Sequence, residues 1–424
     1  MNYENFAQLF EDRYSDFCQR WPLSSFVLDH YLRANLLQRS AVINQHINYL
    51  RQTIHFGRIV DLLSRGLPRI IKNTSDKPSV LLAAPLIFSF PWLAKEVKDH
   101  NSSKSFTLNF FGLAKYYRQL RRMGYSYASL FDPLFKAEWS KALGQGMKAL
   151  TGTDRMLSWT GWDNLELLTE QTVSGLTTRL SRLSCVSVVM LRDFFWYEAA
   201  LTLACKKAAI PCHVVAHGYP HCDPDNSECF GYLPFRGDTL YCMSEESYHQ
   251  LSPWVEDKHC YSVRLFSNTQ KVNGEGILFI SSSVEEVGLL DDKYRLAVYK
   301  GLQAAANKLN CRVTVRFRDD EQLDKKIKQA ETFNFRCTVK NNISLDEDLK
   351  NNRYVFGFSS TALFLSHMLG HPTYNLGGYG TIEGVEKIAP EKISDVVSHV
   401  SVSSGFVDNR TTFADIFWKS LLQG

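Results

Sequence analysis

Three consecutive hydroxyl residues, Ser359, Ser360 and Thr361, directly follow an apolar segment at positions 354–358. The apolar segment predicts a buried strand, and Thr361 then begins a helix that extends to position 369. Free N–H groups and the positive end of the helix dipole meet at that point, and hydroxyls beside them suit a phosphate or carboxylate. A simple N-cap serine is the alternative, but the position late in the chain's second α/β series favours an anion site.

Two further polar groups stand where predicted strands of the same series end. Arg316 and Arg318 lie in the stretch VTVRFRDDE, and a guanidinium can bind a phosphate through two parallel hydrogen bonds. Ser282 and Ser283 follow the segment ILFIS and can contact a diphosphate or sugar hydroxyls. The alternative for both pairs is a solvent-facing position in an ordinary strand-to-helix loop.

Candidate proton acceptors lie in the first half of the chain. His217 ends the apolar segment CHVVA and precedes a glycine, and a neutral imidazole there can act as a base or donate to phosphate. Asp193 follows the apolar segment VSVVML, and Asp163 lies in SWTGWDN, an aromatic segment that can stack on a sugar. Glu198 and Asp238 are weaker candidates. A capping or surface role is the alternative for each, and an inverting or retaining outcome is left open.

A metal site is not predicted. His213, His217 and His221 with nearby cysteines have a spacing that suits one helical face, but the segment is expected to be a strand followed by a loop, and no CxxC pair occurs. The Asp-x-Asp sequences at 223–225 and 346–348 are expected in that loop and in a polar helical turn. We therefore expect neither a metal nor a bound cofactor.

The elements that position these residues form two series. Residues 4–73 are expected to be helical, with Leu28, Tyr31, Leu32 and Leu36 at helical spacing. Apolar strands separated by helices then predict parallel βαβ units. In the first series the strands are predicted at 79–85, 105–111, 155–159, 186–191, 212–216 and 240–244, and the helices at 114–123, 135–150, 164–183 and 196–208. In the second, the strands are at 276–281, 311–316, 354–358 and 373–375, and the helices at 291–309, 320–330 and 361–369.

The polar, glycine-containing stretch at 266–276 separates the two series. The predicted fold is α/β, with two Rossmann-like domains, a cleft between them and a leading helical segment. The domains are expected at 1–268 and 269–424, with the last helix crossing back to the first. Such sheets bind ligands outside the carboxyl ends of their strands.

Composition narrows the function classes. The 424 residues carry a net charge of +4, too little to indicate nucleic-acid binding. Ten scattered cysteines are typical of a reduced cytosolic protein, and we expect no secretory signal. The longest apolar run, at 80–94, is shorter than a membrane span. A basic, aromatic stretch at 111–126 is either a solvated helix face or a contact with an anionic membrane, so peripheral association with the inner membrane is left open.

The segment at 354–376, with the pattern G-x-S-S-T-A-L followed by G-x-P-x-Y, resembles the nucleotide-phosphate segment of GT-B glycosyltransferases. It is most similar to bacterial capsule and lipopolysaccharide enzymes that use CMP-sialic acid, CMP-Kdo or CDP-glycerol-type donors. The resemblance covers mainly residues 277–376, and a weaker resemblance extends over residues 186–245. It implies that Ser359 and Ser360 contact the donor phosphate or sugar carboxylate and that His217 faces the cleft. Arg316 and Arg318 stand where the family has a basic residue followed by His-Pro.

The resemblance implies a metal-independent glycosyltransferase. Its donor would be a CMP-activated acidic sugar such as sialic acid or Kdo, and its acceptor a bacterial surface polysaccharide or lipopolysaccharide, free or lipid-linked. Two alternatives stay open: a CDP-polyol phosphotransferase on the same fold, and a non-catalytic subunit that binds nucleotide sugars.

Overall fold

The structure is a computed structural model. It describes residues 3–36, 47, 77–83, 97–99, 106–111, 126–127, 137–150, 159–191, 195–216, 235–255, 260–264, 272–281, 292–318, 323–339, 343–358, 360–377, 382, 384–399 and 410–423. The described residues up to 264, together with those from 411 onward, form one compact unit, and those from 272 to 410 form a second.

The described strands of the first unit form a seven-stranded, fully parallel sheet. They are β1 (Ser79–Ala83), β2 (Thr107–Phe111), β3 (Ser126–Tyr127), β4 (Cys185–Met190), β5 (Cys212–Val215), β6 (Thr239–Cys242) and β7 (Cys260–Ser262). Their spatial order is β3-β2-β1-β4-β5-β6-β7. The connections change direction between β1 and β4, which is the topological switch point of a doubly wound sheet.

Helices cover this sheet and account for its buried, near-continuous apolar strands. They are α1 (Tyr3–Arg20), α2 (Pro22–Leu36), α3 (Ala137–Leu150), α4 (Trp159–Arg182), α5 (Trp196–Ala208) and α6 (Glu245–Leu251). The predicted apolar stripe of the leading segment is confirmed, because Leu28, Tyr31 and Leu32 are fully buried. Among the described residues, no helix has the length and apolar character that crossing a membrane requires.

The second unit repeats the design with a six-stranded parallel sheet. Its described strands are β8 (Gly276–Ile280), β9 (Val313–Phe317), β10 (Arg336–Val339), β11 (Asn352–Gly357), β12 (Thr373–Asn375) and β13 (Glu386–Lys387), in the order β10-β9-β8-β11-β12-β13. Its helices are α7 (Asp292–Leu309), α8 (Leu323–Glu331), α9 (Leu345–Asn351), α10 (Thr361–Met368) and α11 (Ile393–His399). The switch point here lies between β8 and β11.

The two central strands of the second unit approach each other closely at their carboxyl ends. A Cβ atom added to Gly357, the last residue of β11, would lie 2.9 Å from the backbone oxygen of Ile280 in β8. Glycine therefore permits the close pairing at the edge where a ligand would bind.

The chain returns to the first unit for its last helix, α12 (Phe413–Gln423). The ring of Phe413 packs edge-on against Tyr241, with centroids 4.7 Å apart, and Phe417 packs against His213 at 5.2 Å. The backbone N–H of Arg264, just beyond β7, donates to the oxygen of Thr411. Aromatic packing thus holds the carboxyl-terminal helix on the sheet of the first unit.

Most predicted elements of the described regions are confirmed, and one is wrong. The strand predicted at 155–159 fails at Trp159, which begins the long helix α4. As a result, Asp163 lies on a helix and not in an aromatic loop. Four short strands were not predicted: β3, β7, β10 and β13.

Candidate functional site

The hydroxyl corner predicted after β11 is built around Ser360. This residue is extended (φ −159°, ψ 155°) and caps α10, with its Oγ accepting a hydrogen bond from the N–H of Leu363 at 3.2 Å. Thr361 is the first residue of the helix, whose first turn contains no acidic side chain. The positive end of the helix dipole therefore has no carboxylate within its own first turn. Ser359 lies outside the described residues, so its role stays a prediction.

The corner stands at the topological switch point of the second unit. Ser360 follows β11, Ser281 follows the paired strand β8, and Arg318 follows β9, the next strand along. The backbone N–H of Ser281 donates to the oxygen of Arg316 at 3.0 Å, which continues the β8–β9 pairing to the sheet edge. Because parallel strands end at one edge, an exposed arginine and two serines follow three adjacent strands there. Ser282 and Ser283 lie outside the described residues.

The two predicted arginines have different environments. Arg316 is buried, and its Nη1 atom donates to Asp348 Oδ2 at 2.5 Å and to the backbone oxygen of Ile343 at 2.8 Å. The hydroxyl of Thr338 donates to the same carboxylate oxygen at 3.1 Å. An internal partner thus neutralises the charge of Arg316, whereas Arg318 is exposed at the strand end. Arg318 is the stronger candidate for an anion ligand.

Of the carboxylates predicted in the first unit, Asp163 is held within an aromatic cluster. Its Oδ1 atom accepts a hydrogen bond from the indole Nε1 of Trp21 at 2.8 Å, while the residue itself is exposed. Asp193 and His217 lie outside the described residues. In sequence they follow β4, which ends at Met190, and β5, which ends at Val215.

The two weaker carboxylate candidates have structural partners. Glu198 is fully buried in the first turn of α5, where the Tyr197 hydroxyl donates to it at 3.3 Å. A carboxylate in that position is stabilised by the helix dipole. Asp238 accepts the backbone N–H of Cys212 at 2.7 Å and so secures the start of β5.

Of the three histidines considered for zinc, His213 belongs to the core of the first unit. His213 is buried, and its Nδ1 lies 3.1 Å from the hydroxyl of Tyr241. Burial lowers the pKa of His213 to about 4, so the ring is neutral near pH 7. In the described part of the chain, no three His, Cys, Asp or Glu side chains are grouped so that they could hold a metal ion. His221, Cys222 and Cys229 lie outside that part.

No protein-family model matches the sequence, and no curated protein is detectably similar to it. Solved structures do match. The UDP-GlcNAc 2-epimerase from Methanocaldococcus jannaschii is 11% identical, with a TM-score of 0.53 over 82% of this chain and 100% of its own. A proposed UDP-N-acetylglucosamine 2-epimerase from Listeria monocytogenes is 9% identical, with a TM-score of 0.55 over 82% and 96%. MurG from Acinetobacter baumannii matches at a TM-score of 0.44 and 9% identity over 82% and 100%, too weakly to support a conclusion.

This chain has the GT-B type of fold. The predicted fold class, two Rossmann-like α/β units with leading helices, is confirmed by the strand orders and by the two stronger matches, which span nearly all of the other chains. At about a tenth identity, the likeness concerns the fold alone. Fold does not fix chemistry, so the function must be argued from the site.

Sequence reasoning missed one group of residues that could bind a ligand. Arg20, Trp21 and Trp159 come together at the surface of the first unit, although Arg20 and Trp159 are 139 positions apart along the chain. The spacing of Trp159 and Trp162, one turn apart on a helix, was the available signal. It was lost because this stretch was predicted to be a strand and a loop.

Proposed function

We propose that the protein is a glycosyltransferase that moves an acidic sugar, such as sialic acid or Kdo, from a CMP-activated donor to a bacterial surface polysaccharide or lipopolysaccharide acceptor. The observation that carries the proposal is the Ser360-capped start of α10 at the switch point of the second unit, without an acid in its first turn. The sequence resemblance at 354–376 supports the same assignment.

The proposed donor site uses the groups that follow β11, β8 and β9. Ser359, Ser360 and Thr361 would hold the phosphate at the helix N-terminus. Arg318 would add positive charge, and Ser282 and Ser283 would contact the sugar. Such a set can stabilise a leaving nucleotide by hydrogen bonds and charge without a metal.

The proposed proton acceptor lies in the first unit. A transfer to an acceptor hydroxyl needs a base, and Asp193 and His217 follow the ends of two adjacent strands, β4 and β5. Asp163 stays a third candidate, although its bond to Trp21 favours a role in binding the acceptor. The proposed location is the cytoplasm, with the inner membrane as a peripheral contact.

A nucleotide-sugar epimerase is the second candidate function. The two structures with TM-scores above 0.5 carry that description, one of them as a proposed activity. An epimerase changes its nucleotide-sugar substrate without an acceptor, whereas a transferase releases the nucleotide. A CDP-polyol phosphotransferase and a non-catalytic binding subunit are the remaining alternatives.

Thermal unfolding with CMP, CDP, UDP, GDP, ADP and TDP tests the donor, because a ligand of the native state raises the midpoint. The expected result is a shift with CMP. A shift with only CDP or UDP would mean that the donor is a CDP- or UDP-activated compound instead of a CMP-sugar. No shift with any nucleotide contradicts the proposal.

Turnover separates the functions that share this site. CMP-sialic acid, CMP-Kdo, CDP-glycerol and UDP-GlcNAc are incubated with and without a lipopolysaccharide or capsule acceptor, and the products are followed by mass spectrometry. Acceptor-dependent release of CMP from CMP-sialic acid or CMP-Kdo supports the proposed transferase, whereas acceptor-dependent release of CMP from CDP-glycerol would assign the polyol phosphotransferase. A new isomer of the UDP-sugar without an acceptor would assign the epimerase, and binding without turnover would assign the non-catalytic subunit.

A further inference from the structure

A cluster of aromatic side chains on the first unit supports one exposed indole ring. Trp159 is 62% exposed, and its ring lies 5.4 Å from that of the buried Trp21. Trp21 lies 5.9 Å from Trp162, and Phe17 packs on both, at 5.1 Å and 4.8 Å. We call Trp159 and these three supporting rings the tryptophan platform.

The platform is held in place by a carboxylate at its base. Glu166 of α4 accepts the backbone N–H groups of Leu23 and Ser24 at 2.9 Å and 2.7 Å. These two N–H groups belong to the first turn of α2, where they have no partner within the helix. The bonds fix the turn between α1 and α2 against α4, so the exposed ring rests on a rigid support.

Two charged groups lie beside the exposed ring. The guanidinium carbon of Arg20 lies 4.1 Å from the centroid of Trp159 and 5.4 Å from that of Trp21. Among the described residues, Arg20 makes these cation–π contacts and no ion pair. Asp163 is one helical turn beyond Trp159, and its bond to Trp21 engages only one of its two carboxylate oxygens.

The topology places the platform toward the ligand-binding edge of the first sheet. After α4 ends at Arg182, Leu183 and Ser184 turn the chain back into β4, with Ser184 in the left-handed region (φ 47°). The amino end of α4 therefore points toward the carboxyl ends of the strands. The helix of 24 residues is about 36 Å long, longer than the strand it covers, so Trp159 extends past that edge.

We propose that the tryptophan platform binds an acidic saccharide. The apolar face of a pyranose ring stacks on an indole, while its hydroxyls point to the rim, where Asp163 accepts hydrogen bonds. Arg20, with its unneutralised charge, pairs with a carboxylate or phosphate of the same glycan. The next large exposed apolar side chain on the helix, Leu167, is eight residues away, about 12 Å along the axis. One isolated ring flanked by charges fits a sugar better than a protein surface.

The inference deepens the proposed function and rests on it only for the role of this saccharide as the acceptor. Binding is measured on the full chain without turnover. Isothermal titration uses three tetrasaccharides as probes: oligosialic acid, hyaluronan and neutral maltotetraose. We expect an acidic tetrasaccharide to bind more tightly than the neutral one, with an affinity that falls as salt rises.

Three variants locate the site. Trp159→Ala should weaken binding about tenfold or more, since it removes the aromatic ring on which the saccharide stacks. Arg20→Gln should remove the preference for the acidic probe. Leu167→Ala removes a side chain of the same helix that is 53% exposed, and it should leave the affinity within about twofold.

The inference is overturned if neither acidic tetrasaccharide binds, or if Trp159→Ala binds as the wild type does. Dissociation of an oligomer by Trp159→Ala in sedimentation, with saccharide binding unchanged, would assign the platform to a protein contact instead. A thermal shift with nucleotides measures the proposed donor site separately. A nucleotide shift without saccharide binding therefore rejects the platform alone, and saccharide binding without a nucleotide shift rejects the donor site alone.

Discussion

Helices α5 and α10 occupy equivalent places in the two units, each following the strand beyond the switch point, but their first turns differ. In the first unit, Phe195 precedes α5 without a side-chain capping bond, and the buried Glu198 lies in the first turn. In the second unit, Ser360 caps α10, and no acid is present in the first turn.

The difference shows what topology and sequence each contribute. The doubly wound order produces a helix N-terminus beside the switch point in both units. Sequence then decides whether the protein's own carboxylate interacts with the helix dipole, as in α5, or whether that position can receive an external anion, as we propose for α10.

The largest expected change in stability comes from breaking the ion pair between Arg316 and Asp348, and it tests whether Arg316 stabilises the fold. Asp348→Ala leaves a buried guanidinium without its carboxylate and should lower the free energy of unfolding by about 3–5 kcal/mol in urea denaturation. The double variant Arg316→Met/Asp348→Leu removes both charges and should recover most of that loss.

The double variant also separates Arg316 from the donor site. If α10 and Arg318 carry the anion, the double variant keeps the nucleotide-induced thermal shift, whereas Arg318→Gln reduces it with little change in stability. If the folded double variant loses the nucleotide-induced thermal shift, Arg316 belongs to the donor site after all.

A pH effect of similar size is expected in the first unit. Burial lowers the pKa of His213 from 6.5 to about 4, so the folded state binds fewer protons than the unfolded state between these values. Above pH 6.5 the buried ring does not reduce the free energy of unfolding. As the pH falls from 6.5 toward 4, the free energy of unfolding decreases by about 3 kcal/mol in total. His213→Phe should reduce this part of the pH dependence in urea denaturation.

The exposed His249, whose side chain is 75% exposed, provides the matched control, since His249→Phe makes the same substitution outside the core. Burial also lowers the pKa of His367 and His371 in the second unit, so the variant should retain some acid sensitivity. An unchanged slope between pH 6.5 and 4 in His213→Phe would contradict the neutral, buried state of His213.

The central strands were predictable from sequence because both of their faces are buried. The runs of β4 and β8, and the run at 354–358 that includes most of β11, are almost continuously apolar, as a parallel sheet covered by helices requires. Strands β10 and β13 are edge strands with exposed residues, so their sequences carry no such run. Trp159 was misassigned because its aromatic neighbours suit a strand as well as a helix.

The candidate site was predictable only where its partners are local. The cap of α10 involves Ser360 and Leu363, which are three positions apart, and a serine directly before a helix is a common N-cap signal in a sequence. Arg316 and Asp348 are 32 positions apart, so the ion pair that neutralises the arginine depends on the folded sheet. The contact of Asp163 with Trp21, across 142 positions, was equally hidden.

Exchanging the acids between the two helices sharpens the comparison. Glu198→Gln removes the carboxylate at the start of α5 and should lower the free energy of unfolding by about 1–2 kcal/mol. Thr361→Glu adds one to α10, should raise stability by about 0.5 kcal/mol, and should abolish the nucleotide-induced thermal shift.

Thr361→Gln is the neutral control for the added acid and should keep most of the shift. A nucleotide shift that survives Thr361→Glu would mean that the anion binds elsewhere, and the contrast between α5 and α10 would then have no bearing on function.

The most direct test compares two serine caps of the second unit. Ser344 caps α9 by accepting from the N–H of Glu347 at 3.1 Å, much as Ser360 caps α10, but the first turn of α9 contains three acids. Ser360→Ala and Ser344→Ala should each lower stability by about 1 kcal/mol. Titration of each variant with CMP in a calorimeter then isolates the ligand. Weaker CMP binding in Ser360→Ala alone is the predicted result, and equal CMP binding by both variants would contradict an anion site at the start of α10.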